Sequence, residues 1–532
     1  MNRPGRILIV DDAASWRSLL TDILQDAGFK VATAESIGAA TEHLANSFFH
    51  LLCLDIRMKE EDANNIEGMQ LLGNLVRDQN LGAAVKILVL SAHGTREQMR
   101  EAFHLKVSDF LAKADFEDQA MVELVKQIFA QMFINLSLEI NWKQVKGPEQ
   151  FLFNLTLNGK RVKRDDPSLP ELSEELEDLL CRLFFDAQSL KVRPLSSGLS
   201  GANVLWVKPF YTNGPGEERV VKFGDVRTID REYQNYLDYV EKFIGGSTVV
   251  PNNGLRRTPR LGGIIYKLIG AAGEQTESFG SFYARSETSE INQLLDRLFF
   301  ETCKSWYSNP GNQQSVELTT QYTQSLGLTQ QKLERALTEG LKSVQGKQTL
   351  HFNLLDGDRT FPNPVLAMAD FDFEETTYEC KTHGDLNENN VLVDNLGHTW
   401  LIDFDKTGKG HILRDVAEMD CIVRFKLLSS DDATLQERLE MEEALCSIRQ
   451  FTDVDQLSQR FVTNNPLLAK AYATVVHLRT IARRLVLHSH DIKEYNIALF
   501  YYALNTIRFY DIPTVQRQHA LLSASLLVNQ LA

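Results

Sequence analysis

Two short apolar stretches that each lead into aspartate, ILIVDD (residues 7–12) and LLCLDI (51–56), decide the fold of the N-terminal region. Three more strand-like stretches accompany them: KVATA (30–34), VKILVLSA (85–92) and DFLAK (109–113). Segments with helical spacing separate the five, at 13–27, 36–46, 66–79, 95–105 and 117–131. Because strands that alternate with helices form parallel sheets covered on both faces, we predict an α/β doubly wound domain with five parallel strands.

The residues at the carboxyl ends of these predicted strands form an unusual set, and ligands of open parallel sheets bind at those ends. The set contains three carboxylates, a hydroxyl and an amine: Asp11, Asp12, Asp55, Ser91 and Lys113. Adjacent carboxylates repel one another and need a cation, which predicts a Mg²⁺ site at the three aspartates. A single aspartate after a strand is more often a helix N-cap. Five such residues in order favour phosphoryl chemistry with Asp55 as the nucleophile.

Residues 6–131 closely resemble the receiver domain of two-component response regulators, which has a flavodoxin-like fold. The resemblance implies that Asp55 is phosphorylated and that Asp11, Asp12 and Asp55 bind the metal ion. It also implies that the residues of the conformational switch are Ser91, Phe110 and Lys113. It also implies a sensor histidine kinase or a phosphotransfer protein as phosphoryl donor, and it allows a receiver-mediated dimer.

Two features depart from the usual receiver pattern. The loop that follows Asp55, IRMKEEDANNIEG (56–68), is longer than usual, and Ala114 stands where receivers commonly carry proline. Neither departure removes a catalytic group. Both bear on access of the phosphoryl donor and on the lifetime of the phosphate.

A second motif-rich stretch reads THGDLNENNVLVDNLGHTWLIDFD (382–405). Phosphoryl transfer from ATP needs a carboxylate near the attacking hydroxyl and oxygen ligands for Mg²⁺. Asp385 lies on a tight loop, Asn390 follows it closely, and Asp403 ends the second of two short predicted strands. This is the H-x-D-x₄-N and D-F-x order of kinase catalytic and metal loops.

Candidate nucleotide contacts lie upstream of this stretch. Gly198 and Gly201, in LSSGLSGA (195–202), would let backbone N–H groups approach phosphates, although a turn in a hairpin explains such glycines equally well. Lys222 lies inside the apolar stretch RVVKFG, and a lysine within a strand needs a partner. Glu232 on the following helical segment is the predicted partner.

Region 192–425 resembles the aminoglycoside phosphotransferase and choline kinase branch of the kinase fold, an α+β bilobal fold with a largely helical C-terminal lobe. The resemblance implies ATP and Mg²⁺ as cofactors, with Asp385 as catalytic base, Asn390 and Asp403 as metal ligands and Lys222 on the phosphates. Asn387 replaces a histidine that is common in this branch, which leaves the phosphoacceptor substrate open. Residues 135–425 also resemble a kinase-like module of bacterial multidomain signalling and conflict systems.

These observations predict four regions: a receiver (1–131), a connector (132–190), a kinase-like N-lobe (191–275) and a kinase-like C-lobe with helical extensions (276–532). The connector contains an amphipathic helix at 171–187. We expect its apolar stripe to dock on the fourth-helix and fifth-strand face of the phosphorylated receiver.

Composition narrows the classes of function. The chain has 71 acidic and 56 basic residues, a net charge of −15, which disfavours nucleic acid as a partner. Its six cysteines are widely spaced, as is typical of reduced thiols. No apolar run approaches the ~18 residues of a membrane span, and the N-terminus does not read as a signal peptide, so we predict a cytoplasmic protein with no membrane partner.

Two functions therefore compete. The first is an enzyme in which aspartyl phosphorylation of a receiver controls an ATP-dependent phosphotransferase. The second is a nucleotide-binding pseudokinase, a scaffold that relays the state of the receiver to partner proteins. A third, DNA-binding regulation, lacks a basic recognition helix or a zinc motif.

Overall fold

The computed structural model describes residues 3–58, 67–77, 84–92, 96–105, 107–145, 147–153, 155–194, 204–244, 251–267, 276–308, 310–341, 348–486 and 490–532. The chain folds into two units. The first comprises Met1–Tyr233 and Val250–Ala271, and the second comprises Gln234–Val249 and Ala272–Ala532.

The first unit begins with a sheet of five parallel strands, β1 (Arg6–Val10), β2 (Lys30–Ala34), β3 (Leu51–Asp55), β4 (Lys86–Ser91) and β5 (Asp109–Ala112). Their spatial order is β2-β1-β3-β4-β5, which confirms the predicted flavodoxin-like fold. Among the described residues, five helices accompany the strands: Ala14–Asp26, Ile37–Asn46, Glu67–Arg77, Arg96–His104 and Asp118–Ala130.

Strand β1 shows why these sequences fold as they do. All five of its residues are buried, as expected for a strand covered by helices on both faces. Alternate side chains enter two separate cores: Leu8 and Val10 pack in one, Ile7 and Ile9 in the other. The carboxyl ends of β1, β3 and β4 therefore meet at one edge.

A second, mainly antiparallel sheet follows in the first unit. Its strands are β6 (Glu139–Trp142), β9 (Ser189–Pro194), β10 (Val204–Tyr211), β11 (Gly214–Pro215), β12 (Arg219–Asp225), β13 (Pro251–Arg257) and β14 (Leu261–Lys267). Strands β7 (Thr156–Leu157) and β8 (Lys160–Arg161) form a separate antiparallel pair. The order β13-β14-β12-β10-β9-β6 places β12 in the interior, with β11 paired to β10. Helices Glu149–Leu152 and Val226–Asn235 accompany this sheet, the second helix continuing into the second unit.

A helix at Leu169–Leu183, the connector helix, joins the two sheets of this unit. Its apolar face is buried in the core of the second sheet through Leu172, Leu176 and Leu179. Its acidic face pairs with the N-terminal domain at the start of β1 and beside β3: Arg6 binds Glu171 and Glu174, Arg3 binds Glu177 at 2.8 Å, and His50 contacts Asp178 at 2.7 Å.

The predicted docking of the connector helix is therefore wrong in two respects. Its apolar stripe contacts the second sheet, because the leucines fill the core of that sheet. Its contacts with the N-terminal domain lie at the amino ends of the strands, whereas Asp55 lies at a carboxyl end. The helix also begins earlier and ends earlier than the predicted 171–187.

The second unit is mainly helical, as predicted for residues beyond 285. Its α-helices are Phe279–Arg285, Thr288–Arg297, Lys304–Tyr307, Leu318–Leu326, Gln330–Gly340, Pro364–Asp370, Arg414–Ile422, Leu435–Leu445, Leu457–Arg460, Pro466–Leu485, Lys493–Ile507 and Thr514–Leu531. Short strands complete it: β15 (Glu277–Ser278), β16 (Gln314–Glu317), β17 (Thr349–Leu354), β18 (Gly357–Pro362), β19 (Glu374–Thr377), β20 (Glu379–Thr382), β21 (Val391–Val393), β22 (Thr399–Leu401) and β23 (Gly408–His411). Within the described ranges, no helix has the length and apolar character needed to cross a membrane.

Candidate functional sites

The predicted acid pocket forms at the carboxyl edge of the first sheet. Carboxylate oxygens of Asp11, Asp12 and Asp55 all lie within 4.8 Å of one another. Lys113 Nζ lies 2.5 Å from Asp55 Oδ2 and 2.8 Å from Asp11 Oδ2. Lys113 was predicted to end the fifth strand. It is instead the first residue of a 3₁₀ turn that follows β5, and this turn directs its amine back over the sheet edge.

Burial sets the electrostatics of this pocket. It raises the pKa of Asp55 and of Asp11 above the ordinary range, despite the hydrogen bonds that each receives from Lys113. Burial acts to lower the pKa of Lys113, but its bonds to the two carboxylates outweigh that effect and raise it. The backbone N–H of Arg57 also donates to Asp55 Oδ1 at 2.9 Å.

The carboxylate oxygens of the pocket are suitable ligands for a divalent cation. Asp12 Oδ1 is buried and accepts no hydrogen bond from any residue that the structure describes. A buried carboxylate oxygen without a donor is costly, and Mg²⁺ takes oxygen ligands of this kind. Ser91 is buried at the end of β4, in register with Ala112, and Phe110 packs half-buried against the core.

The second candidate site lies on a loop whose conformation requires glycine at position 384. Gly384 has φ +78°, and a Cβ there would lie 2.4 Å from the carbonyl oxygen of Lys406. Buried Asp415 holds this loop by accepting from the backbone N–H of His383 (2.7 Å) and of Gly384 (2.9 Å). Arg414 donates to the carbonyl of Gly384 at 2.9 Å. The backbone before Asp385 is thus fixed on both sides.

Asp385 meets two further polar side chains. Asn390 Nδ2 donates to the backbone carbonyl of Asp385 at 2.8 Å, and Lys406 Nζ lies 2.8 Å from Asp385 Oδ1. Asn390 is buried, and its Oδ1 accepts no hydrogen bond from the described residues, so it too could serve as a metal ligand.

Asp403 follows β22 in an unusual backbone conformation. Its φ is +67°. Residues other than glycine rarely adopt a positive φ, and those that do are enriched at functional sites. His383 lies between the two candidate loops: its Nε2 donates to the carbonyl of Ile402 at 3.0 Å. Burial lowers the pKa of His383, against the charges of Asp415, Asp385 and Asp403, so this histidine is a neutral structural group.

The remaining predicted residues lie in the first unit. Lys222 Nζ lies 2.8 Å from Glu232 Oε2, and Tyr266 donates to Glu232 Oε1 at 2.7 Å. Lys222 occupies the interior strand β12, so the structure brings together the pair that the sequence predicted. Gly198, Gly201 and residues 59–66 of the long loop after Asp55 lie outside the described residues.

Two family profiles match the chain. The response regulator receiver domain profile matches residues 7–126. The profile named ternary complex associated domain 9 (TCAD9) matches residues 187–349 and 330–508, together more than half of the chain. The chain belongs to the TCAD9 family. Its N-terminal domain is a response regulator receiver, and its cluster of three aspartates fits the Mg²⁺ that receivers bind.

Individual relatives agree with the receiver assignment. CheY of Bacillus subtilis is 32% identical over 124 residues, which cover 23% of this chain and 97% of CheY. The transcriptional regulators AlgB of Pseudomonas putida and FixJ of Bradyrhizobium diazoefficiens are 28% and 29% identical, and the chain spans 31% and 60% of their respective lengths. A solved CheY-like receiver from Methanospirillum hungatei is 23% identical, covers 24% of this chain and 97% of that one, and has a TM-score of 0.22.

Sequence reasoning missed two charged residues of the TCAD9 region beside Asp385. Lys406 follows Asp403 by three residues, a spacing that could have drawn attention to it. Glu418 is buried and accepts from the backbone N–H of Leu386 at 3.0 Å. Burial and the nearby charge of Asp385 raise the pKa of Glu418 to about 8. No sequence pattern marked Glu418, because its position depends on helix packing.

Proposed function

We propose that the TCAD9 region is an ATP- and Mg²⁺-dependent phosphotransferase of the kinase-like α+β bilobal type, controlled by phosphorylation of the receiver at Asp55. The observation that carries the proposal is the loop on which Asp385 is fixed between Lys406 and the buried amide of Asn390. A carboxylate and an amide oxygen on one loop, with a lysine from the neighbouring loop, are groups that phosphoryl transfer from ATP uses.

Each residue then has a defined task. Asp385 accepts the proton of the attacking hydroxyl, and its orientation is fixed by Lys406 and by the backbone of Gly384. Asn390 Oδ1 and Asp403 would hold Mg²⁺, which neutralises charge on the transferring phosphoryl group. Lys222, positioned by Glu232, would bind the phosphates of ATP. Positioning and charge stabilisation account for most of the rate in reactions of this class.

The experiment that tests this proposal compares two aspartate variants in the full-length protein. Asp385→Ala removes a group that acts in the transition state, so turnover of ATP should fall by at least 100-fold while ATP affinity stays within about threefold. Asp403→Ala removes a metal ligand, so affinity for Mg·ATP itself should fall. Calorimetry with Mg·ATP and an ADP-release assay separate the two. Absence of ATP binding by the unmodified protein would sink the proposal.

The regulatory half of the proposal is tested at Asp55. Acetyl phosphate with Mg²⁺ should add one phosphoryl group to the chain, because the Asp55 carboxylate faces both Lys113 and the predicted metal position. Asp55→Asn should abolish the mass increase. Asp22→Asn, an exposed aspartate on the first helix, is the matched control. Equal mass increases in wild type and Asp55→Asn would exclude Asp55 as the acceptor.

A second candidate function is a nucleotide-binding scaffold without catalysis. Two observations favour it. Lys406 already forms an ion pair with the Asp385 carboxylate. The family is named for association with a ternary complex rather than for an activity. ATP binding with no ADP release in any phosphorylation state would select the scaffold over the enzyme.

A further inference from the structure

A pocket of about 370 Å³ lies beside Asp385, entirely within the second unit. The Asp385 loop, helix Arg414–Ile422 with the π-helical turn that follows it, and the end of helix Lys493–Ile507 contribute to its wall. Its volume is that of a small-molecule site. If Asp385 is the catalytic base, this pocket is where an acceptor hydroxyl would reach it.

This wall contains three cationic side chains, Lys406, Lys426 and Arg508. Lys406 is paired with Asp385 and Lys426 with Glu388 at 3.3 Å, so Arg508 is the cation that remains for an anion to bind. The lining contains two carboxyl groups, and both are committed. Asp385 is paired with Lys406, and Glu418 accepts from the N–H of Leu386 and from Tyr502 Oη at 3.2 Å. Burial and the nearby charge of Asp385 also raise the pKa of Glu418. Because both carboxyl groups of the described lining already have protein partners, the wall disfavours a substrate ammonium group.

Arg508 is the group in this wall whose bonding is least complete. Its guanidinium donates at 3.3 Å to the carbonyl of Gly327 and lies 5.1 Å from the centre of the Phe509 ring, and it forms no ion pair with a carboxylate of the described residues. Its Nε is buried and has no acceptor in the described part of the chain. Arginine donors match carboxylate and phosphate oxygens, and a partly desolvated guanidinium gains most from such an anion.

Asn505, on the last turn of the same helix, presents a complementary gap. Its Oδ1 is buried and receives no hydrogen bond from the residues that the structure describes. A buried acceptor without a donor is expensive unless a ligand or water supplies one. A hydroxyl group next to an anionic group would satisfy both Asn505 and Arg508.

We propose that this pocket binds the phosphoacceptor, and that the acceptor is a small hydroxyl compound carrying a carboxylate or phosphate group that Arg508 binds. This inference rests on the proposed phosphotransferase function and names its substrate class. It disfavours the cationic amines that the resemblance to aminoglycoside and choline kinases would suggest. The acceptor hydroxyl oxygen bonds to the γ-phosphorus of ATP, the bond from that phosphorus to the β,γ-bridging oxygen breaks, the hydroxyl proton passes to Asp385, and ADP leaves.

The test compares three probes of similar size in the full-length protein: glycerol 3-phosphate, glycerol and choline. Calorimetry should show glycerol 3-phosphate binding at least tenfold more tightly than the other two. Arg508→Gln should remove that preference, and Arg508→Lys should keep part of it. In the ADP-release assay with Mg·ATP, the Arg508→Gln effect should fall on the KM for glycerol 3-phosphate rather than on kcat.

Two further variants serve as controls for misfolding of Arg508→Gln and for nonspecific effects of losing an arginine. Asn505→Asp adds a negative charge to the wall without truncating it, so it should weaken glycerol 3-phosphate binding at least tenfold even if Arg508→Gln folds poorly. Arg335→Gln changes an exposed arginine on another helix and should leave probe binding unchanged.

Failure of the acceptor class and failure of the enzyme give different results. Choline binding as tightly as glycerol 3-phosphate, or Arg508→Gln and Asn505→Asp binding glycerol 3-phosphate as well as wild type does, would overturn the acceptor class while ATP turnover stood. Selective glycerol 3-phosphate binding by a protein that never releases ADP would support the anion site and overturn the phosphotransferase.

Discussion

The receiver pocket and the Asp385 loop each place an aspartate within ion-pair distance of a lysine, yet they do so in opposite environments. In the receiver, Lys113 and Asp55 have side-chain exposures of 3% and 1%, and Asp11 shares the same amine. On the loop, Lys406 and Asp385 are 45% and 29% exposed. The first pair lies at the edge of a buried parallel sheet, the second on a loop that faces a pocket.

The difference shows that a lysine–aspartate pair contributes differently to stability and to function depending on its burial. Removing a buried lysine that neutralises two carboxylates should destabilise the domain strongly, because the carboxylates would be left buried without a partner. An exposed lysine beside one carboxylate adds little to stability and is free to serve orientation or substrate contact. The receiver pair therefore combines structure with chemistry, whereas the loop pair can be altered at small structural cost.

The sharpest way to break this comparison is to replace each lysine with methionine, which is similar in length. Lys113→Met leaves two buried carboxylates unpaired, so β1 and β3 should lose about 3–5 kcal/mol of stability. Lys406→Met removes an exposed pair and should cost less than about 1 kcal/mol in β20 and β21. Hydrogen exchange of peptides from these strands, at neutral pH without Mg²⁺, measures both in the intact chain.

A control and a contrary result are available for this experiment. Lys126→Met alters an exposed lysine on the last receiver helix and should leave exchange in β1 and β3 unchanged. Equal losses for Lys113→Met and Lys406→Met would mean that burial does not separate the two sites.

The two sites also differ in how far the sequence predicts them. The receiver pocket was predicted almost completely, because every residue in it lies at the end of a strand or within two residues after it, and the topology of parallel strands brings those ends together. Lys222 with Glu232 was predictable for a related reason: a lysine inside a strand needs a partner. In the second unit, Arg508 and Asn505 lie more than 100 residues from Asp385, and only helix packing brings them to its pocket. No local pattern encodes that packing.

The docking of the connector helix shows a second limit. Its apolar stripe was correctly seen, but a stripe does not specify what covers it. Its carboxylates Glu171, Glu174 and Asp178 determined the contact with the receiver, through Arg6 and His50. Acidic residues on a predicted helix are usually solvated, so their pairing was invisible until the fold placed cations opposite them.

The effect of pH sharpens the contrast within the receiver itself. Burial raises the pKa of Asp11 and Asp55 in the folded state, so the folded chain holds protons that the unfolded chain releases above about pH 4. Stability of the pocket should therefore fall as pH rises from about 4 through these raised values. Asp178 behaves oppositely: the charges of Arg182 and His50 outweigh burial and lower its pKa, so its contribution is lost as pH falls below about 4.

Mg²⁺ should prevent the loss of stability that we expect as pH rises, because it binds the ionised carboxylates. We expect its stabilising effect to grow between pH 5 and pH 7.5, reaching about 1.4 kcal/mol at ten times its Kd. Asp12→Asn should reduce this gain, since Asp12 Oδ1 has no other described partner. Hydrogen exchange of β1 and β3 with and without Mg²⁺ measures it. A gain that is equal at both pH values would show that Mg²⁺ binds elsewhere.

The smallest expected effect concerns how the receiver reaches the rest of its unit. Strand β3 carries Asp55 at its end and is preceded directly by His50, which contacts Asp178 on the connector helix. The other face of that helix packs on β14, where a Cβ on Gly263 would lie 2.9 Å from Leu183. β14 pairs with β12 at Lys222. A continuous set of packed elements thus links Asp55, the proposed phosphorylation site, to the proposed phosphate-binding lysine.

We therefore predict that phosphorylation of Asp55 changes ATP turnover several-fold, a coupling of about 1 kcal/mol, and that Asp178→Asn abolishes this change without preventing phosphorylation. Turnover with and without beryllofluoride in wild type, Asp178→Asn and Phe110→Ala measures it. The alternative route runs through Phe110 and the fifth-strand face. If Phe110→Ala removes the response and Asp178→Asn retains it, the signal leaves the receiver by that face, and the acidic face of the connector helix serves only to hold the two sheets together.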